Sequence, residues 1–331
     1  MILSGRAVLL LGLAVLPGEP ARKPKPEAVS TLTIFAGTPA GLWRSQTWGN
    51  SWERVKGHGL EALGAPRVIV PVGPWVYLGG DEGLFVSEDF GENWTRSYSG
   101  SPVLSIVPSR YFQADPTVFV GTRDGLLKSD DAGRTFRPTP LKGTPVHRLE
   151  WPGPALLIGT GRGVVVTEDA GETFREADAG PAMEEVRSVA PSSFFILDPV
   201  LFAGVGSRGV FHSADAARTW DAAGLGGQTV ADLVWLGPFL YAASDAGLFR
   251  TEDLGKTWLA LNDGLQGRTP SRILFPLAPA NGAEAFLATN RGVLWSGDGG
   301  FHWEPSGLTG EDVVSIGTFP PPLLTKRKVK K

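Results

Sequence analysis

The sequence predicts an all-β chain: a seven-bladed β-propeller of four-stranded antiparallel blades, closed by a C-terminal strand pairing into the first blade. Three observations carry the prediction. An octet of the form Ser/Thr-x-Asp-x-Gly-x-x-aromatic recurs about every 40 residues, and about 40 residues is the length of a four-stranded propeller blade. A short strand of the form Gly-apolar-x-x-Ser/Thr runs straight into every octet. Two further apolar strands separate successive octets, and the pattern is incomplete only at the two chain ends.

The octet at residues 87–94 (SEDFGENW) is joined by 129–136 (SDDAGRTF), 167–174 (TEDAGETF), 213–220 (SADAARTW), 251–258 (TEDLGKTW) and 296–303 (SGDGGFHW). A degenerate copy precedes them at 45–52 (SQTWGNSW). Counted on the third position, the steps are 42, 42, 38, 46, 38 and 45 residues. The octet reads as a hairpin tip. Its Asp (Asp89, Asp131, Asp169, Asp215, Asp253, Asp298) accepts hydrogen bonds from N–H groups of its own turn. The Gly two positions later takes a positive φ, and the aromatic opens the return strand and buries its ring. Thr47 replaces the Asp in the first copy and Ala217 replaces the Gly in the fifth; both turns are expected to persist.

The strands follow in order. Lettered from the centre outward, A strands are expected at 66–70, 103–107, 146–151, 186–190, 230–235, 271–275 and 313–317. B strands fall at 31–37, 75–80, 117–122, 155–160, 200–204, 239–243 and 285–289. Their near-continuous apolar runs suit strands covered on both faces. The Gly-apolar segments are the C strands, and each octet aromatic starts a D strand. The first repeat lacks an A strand, and the last A strand has nothing after it. Placing that orphan in the first blade closes the ring and removes exposed edges.

Composition agrees with one globular repeat body, expected over residues 31–318: 42% hydrophobic, 20% charged, 44 glycines. There is no cysteine, which excludes disulfides and thiol catalysis. Residues 1–21 read as a signal peptide: Arg6 precedes an apolar run over 7–16, too short to span a bilayer. Residues 22–30 read as a Pro/Lys-rich linker and 319–331 as a basic tail. The chain is thus expected to be exported, to a periplasmic or extracellular space. The net charge of −3 hides a division. The tail carries +5 and residues 1–28 carry +2, leaving about −10 on the body, which argues against nucleic-acid binding.

Propeller connectivity places the octets and A–B loops on one face and the B–C and D–A loops on the other. The octet face collects acids that read as a solvated rim. The opposite face carries Arg123, Arg162, Arg208 and Arg291 in its B–C turns. At one position near the start of strand A the sequence reads Arg67, Ser105, Arg148, Ser188, Asp232, Arg272 and Ser315. Seven arginines converging on one face of an acidic body suggest a surface that reads carboxylate or phosphate groups through bidentate bonds. Asp232 is the one carboxylate nominated at the channel mouth. It reads as a salt-bridge partner of Arg148 or Arg272, with no second carboxylate at equal height. The four histidines (His58, His147, His212, His302) have no ligand spacing, so no metal or cofactor is expected.

The octets resemble the Asp box of the BNR-repeat superfamily, known from sialidases, sortilin and the photosystem II stability/assembly factors. The resemblance covers roughly residues 30–318. A single ring behind a signal segment looks most like the assembly-factor family. That likeness implies a non-catalytic scaffold binding a protein or peptide, a membrane protein among the candidates, through Arg123, Arg162, Arg208 and Arg291. In a photosynthetic source it implies a compartment like the thylakoid lumen. The superfamily also holds glycosidases, so a carbohydrate-active enzyme or glycan-binding module is the alternative. The sialidases' early Arg-Ile-Pro signature is absent, and Tyr77 and Tyr241 sit in apolar B strands.

Overall fold

The computed structural model describes residues 32–57, 59–60, 63–177, 185–192, 195–276 and 284–319. The expected signal peptide and linker, His58, and the tail beyond Phe319 lie outside these residues. The described chain forms 28 strands in seven four-stranded antiparallel sheets, arranged as a ring. The first sheet joins β28 (Ser315–Phe319) to β1 (Thr33–Thr38), β2 (Gly41–Ser45) and β3 (Glu53–Arg54). The closing pair is antiparallel, with Thr33 opposite Phe319, Phe35 opposite Gly317 and Gly37 opposite Ser315. The strand left over at the end of the sequence therefore supplies what the first repeat lacks. Each A strand also contacts the A strands of both neighbouring blades, so the seven line a central channel.

The core lies between blades. Seven clusters of buried apolar residues each draw on two adjacent blades, one cluster per interface. The B strands Val118–Thr122, Leu156–Thr160 and Leu201–Val205 are buried at every residue. A blade so covered on both faces cannot bury its apolar surface alone, which is why the repeats stand or fall together.

Each octet builds one hydrogen-bonded turn, and its first residue contributes more than its pattern suggests. Ser87 Oγ accepts the Gly91 N–H at 2.8 Å and donates to Asp89 Oδ1 at 2.8 Å. Asp89 Oδ1 accepts the Asn93 N–H at 2.9 Å, and the Asn93 side chain donates to Asp89 Oδ2 at 2.8 Å. The seventh position repeats that last bond: Thr135, Thr173, Thr219 and Thr257 donate to their Asp at 2.5–2.7 Å. Both worn copies persist. Ser45 Oγ still accepts the Gly49 N–H at 2.9 Å, and the Thr47 hydroxyl takes the Asp's place, accepting the Ser51 N–H at 2.9 Å.

Ala217 keeps the positive φ, at 67°. The neighbouring blade explains how it fits. A Cβ on Gly91, Gly133 or Gly171 would lie 2.8–3.1 Å from Phe35, Tyr77 or Phe119 of the preceding B strand. The residue equivalent to these in the blade before Ala217 is Leu157, and the two share one cluster. An aliphatic side chain in place of the ring leaves room for the extra methyl.

The turn carboxylates set an acid limit. Threonine hydroxyls, then backbone N–H groups, hold Asp169, Asp215 and Asp253 at about 2, against an ordinary 3.8. A depressed folded-state value contributes stability above the unfolded value that is lost as pH falls through the folded one. The melting temperature should therefore drop between about pH 4 and pH 2. Asp253→Asn should be less stable near neutrality and show a shallower acid slope in thermal unfolding across that range.

Candidate functional site: the arginine-bearing channel mouth

The A strands enter the channel through a repeated irregularity. In six blades the register against strand B shifts between the first and third residues of strand A, as between Val146 and Arg148. Such a bulge inserts an extra residue and re-aims side chains. It also corrects the alignment expected from sequence. Val68, opposite Gly79, is the equivalent of Ser105, Arg148, Ser188, Asp232 and Arg272; Arg67 is the bulged residue, equivalent to His147 and Arg187. Two successive layers of side chains result, one at the mouth and one inside, each mixing charged with apolar residues.

The mouth is a cavity of about 410 Å³ whose lining includes Arg67, Arg123, Arg187, Arg272, His147 and Glu185. Arg67 Nε lies 2.5 Å from Asp81 Oδ1. Glu185 bridges His147 Nε2 at 3.4 Å and Arg187 Nη2 at 3.2 Å. Burial lowers the His147 pKa, opposed by Glu185, so the ring is neutral near pH 7. Arg123 anchors its own backbone on Pro102 O at 3.0 Å, and its side chain stays exposed.

Directly inside, a narrower cavity of about 280 Å³ is lined by the A strands. Asp232, 2% exposed, is one of the residues lining it. Its Oδ2 accepts the Ile273 N–H at 3.1 Å and its Oδ1 lies 3.2 Å from Arg148 Nη1. Arg148 also donates to Glu150 Oε1 at 2.9 Å. Arg272 donates to Ala231 O at 2.8 Å and Ser271 O at 3.0 Å. Burial pushes the Glu150 carboxyl up against the pull of Arg148. Burial, with Arg148 adding to it, lowers Arg272, while Asp232 offsets both. Asp232 is thus a salt-bridge partner of Arg148. A second carboxylate, Glu150, shares that arginine from one layer deeper, level with Val234, so no second acid stands at the height of Asp232 among the aligned residues.

The nominated arginines divide. Arg67, Arg123 and Arg272 line the mouth, and Arg148 lies beneath it. Arg162 lines a separate recess with Lys142 and Glu176, and its Nη2 reaches Gly143 O at 3.4 Å. Arg208 and Arg291 are exposed on the same face but outside the residues lining the cavity. His147, Arg187 and Glu185 enter the site unanticipated. The sequence signal for the first two was their place directly before the aligned column, readable only once the bulge is known.

On the opposite face, octet acids tie blades together. Glu92 meets Arg44 at 2.6 Å, Glu88 meets Arg134 at 2.8 Å and Glu172 meets Arg137 at 3.1 Å, each across a blade boundary. Tip aromatics do likewise: Trp52, Trp258 and Trp303 donate their indole N–H to Ser306 O, Ala223 O and Leu261 O of the preceding blade.

Ring, repeat and mouth together define a seven-bladed Asp-box β-propeller with a basic channel entrance. The BNR-Asp box repeat pattern matches residues 84–97, the third strand and octet of the second blade. No curated protein matches the sequence. Among solved structures, the chain is similar to a GH74 xyloglucanase from Xanthomonas campestris: 15% identity, TM-score 0.66, covering 87% of this chain and 52% of that one. It is similar to YCF48 from Cyanidioschyzon merolae (14% identity, TM-score 0.58, 84% and 98% covered). It is also similar to YCF48 bound to a D1 peptide (15%, 0.55, 74% and 81%). The chain spans about half the length of the xyloglucanase, and these identities establish likeness of fold.

Proposed function

We propose that the chain is an exported, non-catalytic propeller that binds a protein or peptide partner by its carboxylates at the channel mouth. One observation carries this reading: four guanidinium groups, those of Arg67, Arg123, Arg187 and Arg272, share one cavity with a single lining carboxylate, Glu185. A guanidinium offers paired donors that match a carboxylate, and clustered charge steers acidic partners toward it. The comparison supports it, since YCF48, a propeller of similar size, is described with a bound D1 peptide. Combined Arg67→Glu, Arg123→Glu and Arg187→Glu should weaken binding of an acidic peptide at least about 100-fold, at roughly 1.5–3 kcal/mol per charged hydrogen bond. Fluorescence anisotropy checks it. Equal affinity of the triple variant, with its melting curve intact, would remove the reading.

A second reading, a carbohydrate-active module, rests on Asp232 and Glu150 flanking Arg148 inside the channel and on the xyloglucanase-like fold. Glycoside hydrolysis uses two carboxyl groups on one cleft. Against it, Asp232 is already engaged by Arg148 and the Ile273 N–H. A hydrolysis screen separates the two, since turnover lost in Asp232→Asn would favour the enzyme.

A further inference from the structure

We propose that the octet face is a docking surface for an anionic lipid bilayer. The first observation is segregation. The large hydrophobic side chains exposed among the described residues are Phe90, Tyr111, Ile196, Leu197, Leu254 and Leu259. Phe90 and Leu254 stand in octets, and Tyr111, Ile196 and Leu197 in A–B loops, which share that face. Leu259 opens the strand directly after the sixth blade's octet. Single exposed apolar residues are ordinary on any protein; their confinement to one side of a ring is not.

The loops of three consecutive blades touch. Arg110 Nη1 donates to Pro152 O at 2.5 Å, which ties the third blade to the fourth. The Ile196 side chain of the fifth blade lies over Gly153, where an added Cβ would meet it at 2.8 Å. Leu197 beside it is 86% exposed and Tyr111 67%. The Arg110 guanidinium sits 5.6 Å from the Tyr111 ring centre. Aromatic and arginine side chains with apolar bodies and polar tips suit a lipid–water interface.

Backbone strain points the same way. Position four of every octet has a positive φ, and most blades place Ala or Gly there: Ala132, Ala170, Ala216 and Gly299. Leu254 (60°) and Phe90 (61°) are bulky residues in a conformation that penalises them, and both side chains are about half exposed. Contact with an apolar phase would offset that cost.

The chain ends choose lipid over another occupant. Strand β1 starts at this face and β28 finishes at it, so residues 1–31 and 320–331 both leave from here. The first carries, beyond the expected signal peptide, three basic residues at 22–25; the second carries Lys326, Arg327, Lys328, Lys330 and Lys331. Polybasic segments are attracted to anionic headgroups. The tips rise from separate blades around a ring, an arrangement a flat surface meets all at once. Glu88, Glu92 and Glu172 of this face are each offset by an arginine, but Glu168 and Glu252 are exposed and the turn aspartates stay ionised, so attraction to anionic headgroups falls to the basic tail.

The test uses the full chain and vesicles of phosphatidylcholine with or without phosphatidylglycerol, read by co-sedimentation. The chain should partition preferentially onto anionic vesicles. Combined Tyr111→Ser, Ile196→Ser and Leu197→Ser should lower that partition about tenfold, and deletion of 323–331 should remove the preference for anionic lipid. The mouth-reversal variant should partition normally, which separates this face from the proposed partner site. Because the chain has no cysteine, Leu197→Cys and Arg291→Cys each accept one environment-sensitive dye. Only the dye at 197 should shift to the blue on vesicles. Unchanged partition of the triple variant would assign binding to the chain ends and overturn the proposal. So would a blue shift at 291, or self-association in light scattering without vesicle binding.

Discussion

Deletion of residues 311–331 is expected to abolish the cooperative unfolding transition. The strand lost is the innermost of the first blade. With it go the antiparallel pairing to β1, the fully buried Val313, and the bonds Val314 N–H to Gly37 O (3.0 Å) and Ser271 Oγ to Val313 O (2.7 Å). Its removal breaks the ring at two interfaces at once, because the strand touches the A strands of both the second and the seventh blades. The free edge of β1 would also be open to pairing between chains. The expected cost exceeds about 5 kcal/mol, comparable with the whole stability of a typical domain. Deletion of 323–331, beyond the last strand, should leave the midpoint within about 2 °C of the intact chain. Calorimetry of both truncations checks the pair. A cooperative transition near the parent temperature in the longer deletion would show that closure does not hold the ring.

The fold was legible because its signal is local and written seven times. Ser87, Asp89, Gly91 and Trp94 must each occupy a fixed place in a turn, so the pattern survives where the rest of a blade drifts. Buried B strands such as Leu156–Thr160 announce themselves as apolar runs. The mouth was legible only in part, because its geometry depends on a backbone irregularity with no residue signature. The bulge brings Arg67, His147 and Arg187 to the rim while Arg148 turns inward and Arg272 lines both cavities, and counting in twos along a strand cannot foresee that. Arg162, expected with the others, lines a recess of its own, where its guanidinium reaches the Gly143 carbonyl of the neighbouring turn. Glu150 was overlooked because an acid late in a strand reads as a solvated end, whereas here it pairs with Arg148 in the channel. The left-handed residue before each octet Gly escaped for a different reason: Trp48, Phe90 and Leu254 are types that normally avoid that conformation.

Asp232→Ala is expected to be the most damaging single substitution in the channel. Asp232 faces Arg148 and Arg272, two cations whose mutual repulsion only it and Glu150 offset. Truncation leaves Arg272 half-buried beside Arg148 with less opposing charge, and the Ile273 N–H without its acceptor. Breaking a buried ion pair by removing one partner costs about 3–5 kcal/mol, because the other charge stays desolvated. That corresponds to a midpoint lower by roughly 10 °C in a chain of this size. Asp232→Asn should cost about half as much, since its amide oxygen still accepts the Ile273 N–H and only the charge is lost. The two substitutions also separate structure from recognition. Neither removes a guanidinium from the mouth, and both make the channel more positive, so an acidic peptide should bind the folded Asp232→Asn protein at least as tightly as the parent. Weaker binding at a temperature where that variant remains folded would mean that Asp232 itself contacts the ligand. The negative charge would then belong to the recognition surface, and the site would be one for a neutral or basic group.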